Sequence, residues 1–170
     1  KDFDLNEPRE VGQTYVENAR IKAKYSSEMT GLISLSDDSG IEIDSLDGAP
    51  GVFTADWAET KKGRDFDYAM KKVWDALEAK RASIPRKAQF CCTLVMVWPD
   101  KHEEIFEGFA EGTLTWPGRG SNGHGFDPIF IPKDHEITYA EMDRWEKNSI
   151  SHRAIAFEKM FNQCFTDHEK

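Results

Sequence analysis

The sequence predicts an α/β fold, with a mixed β-sheet flanked by helices and a long β-hairpin, in one compact unit of two lobes. Three observations predict it. Capping boxes and helical periodicity mark helical regions at both ends and in the middle of the chain. Two long strand-like runs, 88–98 and 103–116, are joined by Pro99-Asp-Lys-His102. Short apolar runs that end in Asp, Ser, Gly and Pro clusters separate these elements.

In chain order, Thr14-Tyr-Val-Glu17 reads as a capping box, with the Thr side chain facing the Glu17 amide and the Glu reaching back. The helix it opens runs to about residue 29, and Gly31 follows as its terminator. Residues 32–36 predict a short strand that empties into an acidic loop, Asp37-Asp38-Ser39-Gly40, and 41–46 alternate as a further strand. Asp47-Gly-Ala-Pro-Gly51 is a turn cluster. Asp65 then caps a periodic helix in which Phe66, Ala69, Met70, Val73 and Leu77 share one face. After the hairpin come a Gly-rich loop, 117–128, and a short strand, 129–131. A second capping box, Thr138-Tyr-Ala-Glu141, introduces a helical C-terminal part, with Ile150, Ala154, Phe157 and Phe161 as the buried stripe of the last helix. No internal repeat is visible.

With 170 residues and no Gly/Ser- or Pro-rich linker, residues 1–170 read as a single domain with a real core. The net charge of −9 argues against a nucleic acid held on a broad basic face, because duplex binding relies on Lys and Arg neutralising phosphates. A small anionic substrate remains compatible, held by a few local cations and a metal. Cys91 and Cys92 are adjacent on a predicted strand and point to opposite faces, which makes them poor disulfide partners. The cysteine usage fits reduced cytosol, so the expected location is cytoplasmic. No apolar run is long enough to span a bilayer and no signal peptide is visible, so no membrane partner is expected.

Four groups of residues carry potential chemistry. Asp37 and Asp38, in a loop after a strand, suit Mg²⁺, which prefers oxygen ligands and is usually held by one or two carboxylates plus substrate phosphates. The same tetrapeptide is also a good turn on conformational grounds alone. Lys147, His152 and Arg153 lie at the start of the predicted last helix, where free amides and the dipole favour an anion; a solvated charged turn is the alternative. Glu10, Glu17 and Lys22 surround the first helix, with Glu17 already explained by its cap and Lys22 otherwise an ordinary surface lysine. In Gly118-Arg-Gly-Ser-Asn-Gly-His-Gly-Phe-Asp127, glycines allow close backbone approach, His124 and Phe126 offer faces for stacking, and Asp127 offers an acceptor. An ordinary flexible loop is the competing reading of that segment.

The order of these motifs is more specific than any one of them. Glu10-x-Gly-x-Thr-Tyr-x-Glu-Asn-Ala-x-x-Lys-Ala23, Asp37-Asp-Ser-Gly-Ile-Glu-Ile-Asp44, Gly48-Ala-Pro-Gly-Val-Phe53, Gly125-Phe-Asp-Pro-Ile-Phe130, Thr138-x-Ala-Glu141 and Lys147-Asn-x-Ile-Ser-His-Arg153 resemble the inosine triphosphate pyrophosphatase family, the house-cleaning dITP/XTP pyrophosphatases, over essentially the whole chain. The resemblance implies an active site in the cleft between two lobes and the reaction NTP + H₂O → NMP + pyrophosphate on ITP, dITP and XTP, removing them before incorporation into DNA and RNA. It implies that Glu10 and Asp38 are Mg²⁺ carboxylates, with Asp38 orienting or deprotonating the attacking water and Asp37 supporting the same turn. Lys22, Ser39, Lys147, His152 and Arg153 resemble groups that hold triphosphate and base. His124, Gly125, Phe126 and Asp127 resemble the base-recognition loop, with Ser151 helping to read the 6-keto edge. A homodimer built partly through the hairpin is implied too, and the alternation of Phe106, Gly108, Ala110 and Gly112 with Ile105, Glu107, Phe109 and Glu111 is compatible with it.

Two departures accompany the resemblance. The family begins with a strand and a Ser/Thr-Gly-Asn-x-Gly-Lys-like phosphate loop, whereas Lys1-Asp-Phe-Asp-Leu5 matches the stretch after it; the expectation is weak phosphate binding by the chain as written. The family's loop reads Gly-Phe-Gly-aromatic-Asp, and here His124 stands at the first aromatic position. Competing expectations are a nucleotide-binding remnant without turnover and a related pyrophosphatase acting on modified pyrimidine nucleotides.

Overall fold

The structure, a computed structural model, describes residues 3–166, so Lys1 and Asp2 of the motif at the start of the chain lie outside it. Helix α1, Tyr15–Thr30, opens where Thr14 accepts from the Glu17 amide and closes at Gly31 in the left-handed conformation. Glu17 reaches back one residue further than expected and accepts from the Gln13 amide at 2.6 Å. Strand β1, Ser34–Ile43, leads to the two-residue β2, Pro50–Gly51, and to a small hairpin of β3, Glu59–Thr60, and β4, Gly63–Arg64. Helix α2, Phe66–Ala79, is capped by Asp65 and buries Ala69, Met70, Val73 and Leu77, as its periodicity predicts. The long hairpin is β5, Lys87–Val97, with β6, Glu103–Leu114; β7, Phe130–Pro132, follows, then helices α3, Arg144–Ile150, and α4, His152–Cys164.

The main sheet runs β2-β1-β5-β6-β7, and every ladder among the described residues is antiparallel. The α/β class and the hairpin are as expected, whereas the sheet expected to be mixed is antiparallel among the described residues, because its long strands are neighbours joined by a hairpin rather than by helical crossovers. The two strands expected on either side of an acidic loop are one. All ten residues of β1 pair with β5, from Ser34 opposite Val97 to Ile43 opposite Ala88. The reason is the partner: β5 is a central, almost wholly buried strand whose backbone groups must be paired, and a continuous ladder outweighs the turn preference of Asp-Asp-Ser-Gly.

Alternation then sorts side chains onto two faces. On one, Ala19 and Ala23 of α1 pack against Val95 and Val97. On the other, α2 covers Ile41, Ile43, Phe90 and Ala110, and α4 covers Cys92, Leu94, Met96 and Phe106 through Ala156 and Met160. Cys91 and Cys92 are buried on opposite faces and all three cysteines are free.

The C-terminal part departs from expectation in two places. Thr138-x-x-Glu141 forms only a turn: Glu141 does accept from the Thr138 amide at 2.7 Å, but the Thr138 hydroxyl donates to the Arg119 carbonyl and caps nothing. The helical region starts instead at Asp143, which accepts from the Trp145 and Glu146 amides. The buried stripe of α4 is His152, Ala156 and Met160, while Phe157 and Phe161 are exposed. Gly108 explains this rotation. A Cβ there would collide with the His152 carbonyl and with Ala156, so glycine lets the helix backbone rest on β6 with its small side chains inward. Phe157 and Phe161, one position on, turn away from the sheet.

Candidate active site

Because Asp37 and Asp38 are consecutive in a strand, they point to opposite faces of the sheet and cannot support one turn together, which corrects the expected loop. Each gathers its own partners.

Asp38 faces α1. Lys22 lies between two carboxylates there, 2.5 Å from Glu10 Oε1 and 3.7 Å from Asp38 Oδ1. Asn18, one helical turn before Lys22, donates from Nδ2 to Asp38 Oδ2 at 3.3 Å. The Asp38 carboxyl is pushed up to about 6, first by burial and further by the Glu10 charge, against the opposing effects of Lys22 and Asn18. Two carboxylates with a single ammonium leave a net negative charge in a half-buried place. Two hard oxygen donors short of positive charge fit a divalent cation such as Mg²⁺, which completes its shell with water and phosphate. Among the described residues no group of three or more His, Cys, Asp and Glu side chains is placed to hold a metal ion.

Asp37 faces α4. Its Oδ2 accepts from Arg153 Nη2 at 2.6 Å and from the Ser39 hydroxyl at 3.2 Å, and Arg153 also donates to Ser39 at 2.9 Å. Burial works to raise the Asp37 carboxyl, but the hydrogen bond and charge of Arg153, the Ser39 hydroxyl and the more distant Lys22 hold it below its ordinary value. This carboxylate is already satisfied.

The Gly-rich loop closes over a third group. Asp127, almost fully buried, accepts from the His124 amide at 2.6 Å and pairs with Lys147. Its carboxylate is thereby used to fix the loop and to aim Lys147. The Lys147 ammonium also lies 5.3 Å from the centroid of the Tyr139 ring. His124 is exposed and meets Phe66 edge to face, with centroids 4.8 Å apart. Phe126 is 1% exposed and packs edge-on to Phe66 inside the core, so it has no free face for a ligand. Gly125 takes a positive φ of 67° at the bend between the two rings.

The expected cluster of cations at one helix start is also revised. Lys147 lies in the last turn of α3, where the dipole favours a cation, and α4 begins separately with Ser151 as its cap. The Ser151 hydroxyl accepts from the Ala154 amide, and its side chain is buried. His152 is no phosphate cation: it is buried, stacked on Phe90 at 4.9 Å and 11°, with Nδ1 buried and unpartnered. Burial, then the charges of Arg153 and Lys147, bring it down to about 3, so it is neutral at physiological pH. Arg153, Lys147, Lys22 and the exposed ring of His124 are left as candidate ligand-facing groups. Asn18 and Phe66 were not singled out from the sequence. The signal for Asn18 was its i, i+4 spacing from Lys22, which puts both on the β1-facing side of α1; Phe66 was hidden within an apolar stripe.

Among the described residues no helix is long and apolar enough to cross a membrane. The sequence profile of the Ham1 family matches residues 1–163. A dITP/XTP pyrophosphatase of Ruegeria pomeroyi is 62% identical over 164 residues, covering 96% of this chain and 80% of that protein. One of Agrobacterium fabrum is 50% identical, with 96% and 81% covered. Among solved structures, a HAM1 protein from Coxiella burnetii superposes with a TM-score of 0.87 at 39% identity, covering 93% of this chain and 80% of that one. The Ham1 protein of Staphylococcus aureus gives 0.84 at 32% identity, with 99% and 83% covered.

Proposed function

We propose how this chain, which belongs to the Ham1 family and hydrolyses non-standard purine nucleoside triphosphates such as dITP and XTP, divides that task within one domain between the two faces of β1. The carrying observation is the convergence of Glu10 and Asp38 on the single ammonium of Lys22.

On the α1 side, Glu10 and Asp38 hold Mg²⁺, which when bound neutralises phosphate charge and favours the developing charge of the transition state. Asp38, half-buried on the strand beside Lys22, orients the attacking water and accepts its proton. The water oxygen bonds to the α-phosphorus, the α–β phosphoanhydride bond breaks, and pyrophosphate leaves. Lys22 neutralises the triphosphate beside that reaction. On the α4 side, Arg153, anchored by Asp37 and Ser39, and Lys147, anchored by Asp127, hold phosphate and base. The His124 ring stacks on the purine, and the backbone of 124–127 with that at Ser151 presents donors to the 6-keto oxygen. Adenine would turn an amine toward those donors, a buried mismatch costing about 1–3 kcal/mol per group.

The implied homodimer belongs to the same proposal. It is supported by Ile105 and Phe109, which stand exposed on the face of β6 opposite α4. Cytoplasmic placement is supported by the three free thiols.

The test is pyrophosphate release from ITP, XTP and ATP with and without Mg²⁺, on this chain and on one extended to the length of its relatives. Mg²⁺-dependent release favouring ITP and XTP is expected. Equal release from ATP would sink the base-recognition reading, release independent of metal would sink the carboxylate assignment, and sedimentation of the same samples as monomers at micromolar concentration would remove the dimer.

A further inference from the structure

We infer that Asn18 is a positioning residue that sets the distance and orientation between Glu10 and Asp38, by clamping the segment that carries one to the strand that carries the other. The inference rests on the reading of these carboxylates as a cation site.

Asn18 is 5% exposed on the face of α1 that meets β1, where a primary amide must find partners for both ends. It finds one on each side of the site. Oδ1 accepts from the Gly12 amide at 2.8 Å, and Nδ2 donates to Asp38 Oδ2 at 3.3 Å. The orientation of the amide is fixed by chemistry: the Gly12 N–H is only a donor, so the atom facing it must be the oxygen, and the NH₂ is left to face the carboxylate. Gly12 is two residues from Glu10, in a stretch without helix or strand, so this hydrogen bond ties the Glu10 segment to α1. The approach is close enough to require glycine. A Cβ at residue 12 would lie 2.6 Å from both Asn18 Oδ1 and the Glu17 Cβ.

Lys22, one turn further along the same face, holds the two carboxylates by charge, but an ammonium on a flexible stem sets no angle. The planar amide of Asn18 does. A site of only two protein carboxylates has little else to define its geometry, and Mg²⁺ tolerates little departure from ideal coordination. Outer groups that orient ligands commonly contribute tenfold or more to metal affinity.

The experiment measures Mn²⁺ binding to the substrate-free protein by electron paramagnetic resonance, together with the half-saturating Mg²⁺ concentration in turnover. Asn18→Ala removes the clamp, and Gly12→Ala keeps the Asn18 side chain but forces the 10–12 segment away from it, because the added Cβ would meet Asn18 Oδ1 and the Glu17 Cβ. Both are expected to weaken Mn²⁺ binding and raise the half-saturating Mg²⁺ about tenfold or more, while the ITP-to-ATP preference stays unchanged and circular dichroism shows the native fold. If Asn18→Ala does not fold, Gly12→Ala alone decides. Mn²⁺ affinity within about twofold of the parent in the folded variants, alongside a loss in Asp38→Asn, overturns the inference and leaves the carboxylate site standing. Undiminished Mn²⁺ binding in Asp38→Asn itself overturns both.

Discussion

Asp37 and Asp38 share a peptide bond and almost nothing else. The first is met by Arg153 and Ser39 and held below its ordinary pKa; the second shares a single lysine with Glu10 and is pushed up to about 6. One face of β1 is thus electrostatically closed and the other is short of positive charge. A saturated carboxylate fixes the cation it already has, while an unsaturated one keeps the capacity to take up another. The pair teaches that adjacency in sequence says little about shared chemistry when the backbone is extended and the side chains diverge.

The comparison is broken most directly at Asp38. Asp38→Asn keeps the volume and removes the charge, and turnover is expected to fall by at least about 10²–10³-fold, the scale on which loss of one preorganised electrostatic group is felt. Steady-state kinetics with ITP at saturating Mg²⁺ measure it; a parental kcat would mean that the unsaturated face is not the reacting one. Asp37→Asn probes the closed face. Arg153 loses its anchor but not its charge, so KM for ITP is expected to rise about tenfold or less with kcat nearly unchanged, the pattern of lost uniform binding. A kcat loss as deep as that of Asp38→Asn would erase the distinction.

The smallest effect concerns His152, on the same side as Asp37. Its folded value near 3 lies below the ordinary histidine value of 6.5, so the unfolded chain binds a proton that the folded one refuses. Stability from this group is therefore fully present above about pH 6.5 and drains away as pH falls toward 3. Between pH 7 and 5.5 the loss is about 1 kcal/mol. His152→Phe, which keeps a ring on Phe90 and removes the unpartnered nitrogen, is expected to flatten that part of the pH dependence in denaturant melts. Identical slopes would mean that His152 takes up its proton in the folded protein as readily as in the unfolded chain, so that the closed face gains a cation below about pH 6.5.

Local signals were legible where the physics is local. The Thr14 and Asp65 caps, the stripe of α2 and the hairpin all rest on contacts within a few residues or on strict periodicity, and they stand as read. What failed to show was decided by distant partners. Asp-Asp-Ser-Gly looks like a turn until ten residues of β5 demand a ladder. The Phe157 and Phe161 stripe looks buried until Gly108 chooses which side of α4 touches the sheet. For the candidate site, motif order singled out Glu10, Lys22, Asp38, Lys147 and Arg153, of which the fold brings Glu10, Lys22 and Asp38 into contact. It could not tell that Phe126 and His152 spend their rings on the core, because an aromatic or imidazole ring serves a core and a ligand equally well until its burial is known.

The alternation along β1 carries a last consequence, one of parity. Exchanging the two faces would require β1 to slip by one residue against β5, which would also carry Ile41 and Ile43 out of the core. Those two buried isoleucines therefore decide which carboxylate meets Lys22 and which meets Arg153, and a one-residue indel ahead of Asp37 is expected to be absorbed in the connection from α1 and to leave the assignment unchanged.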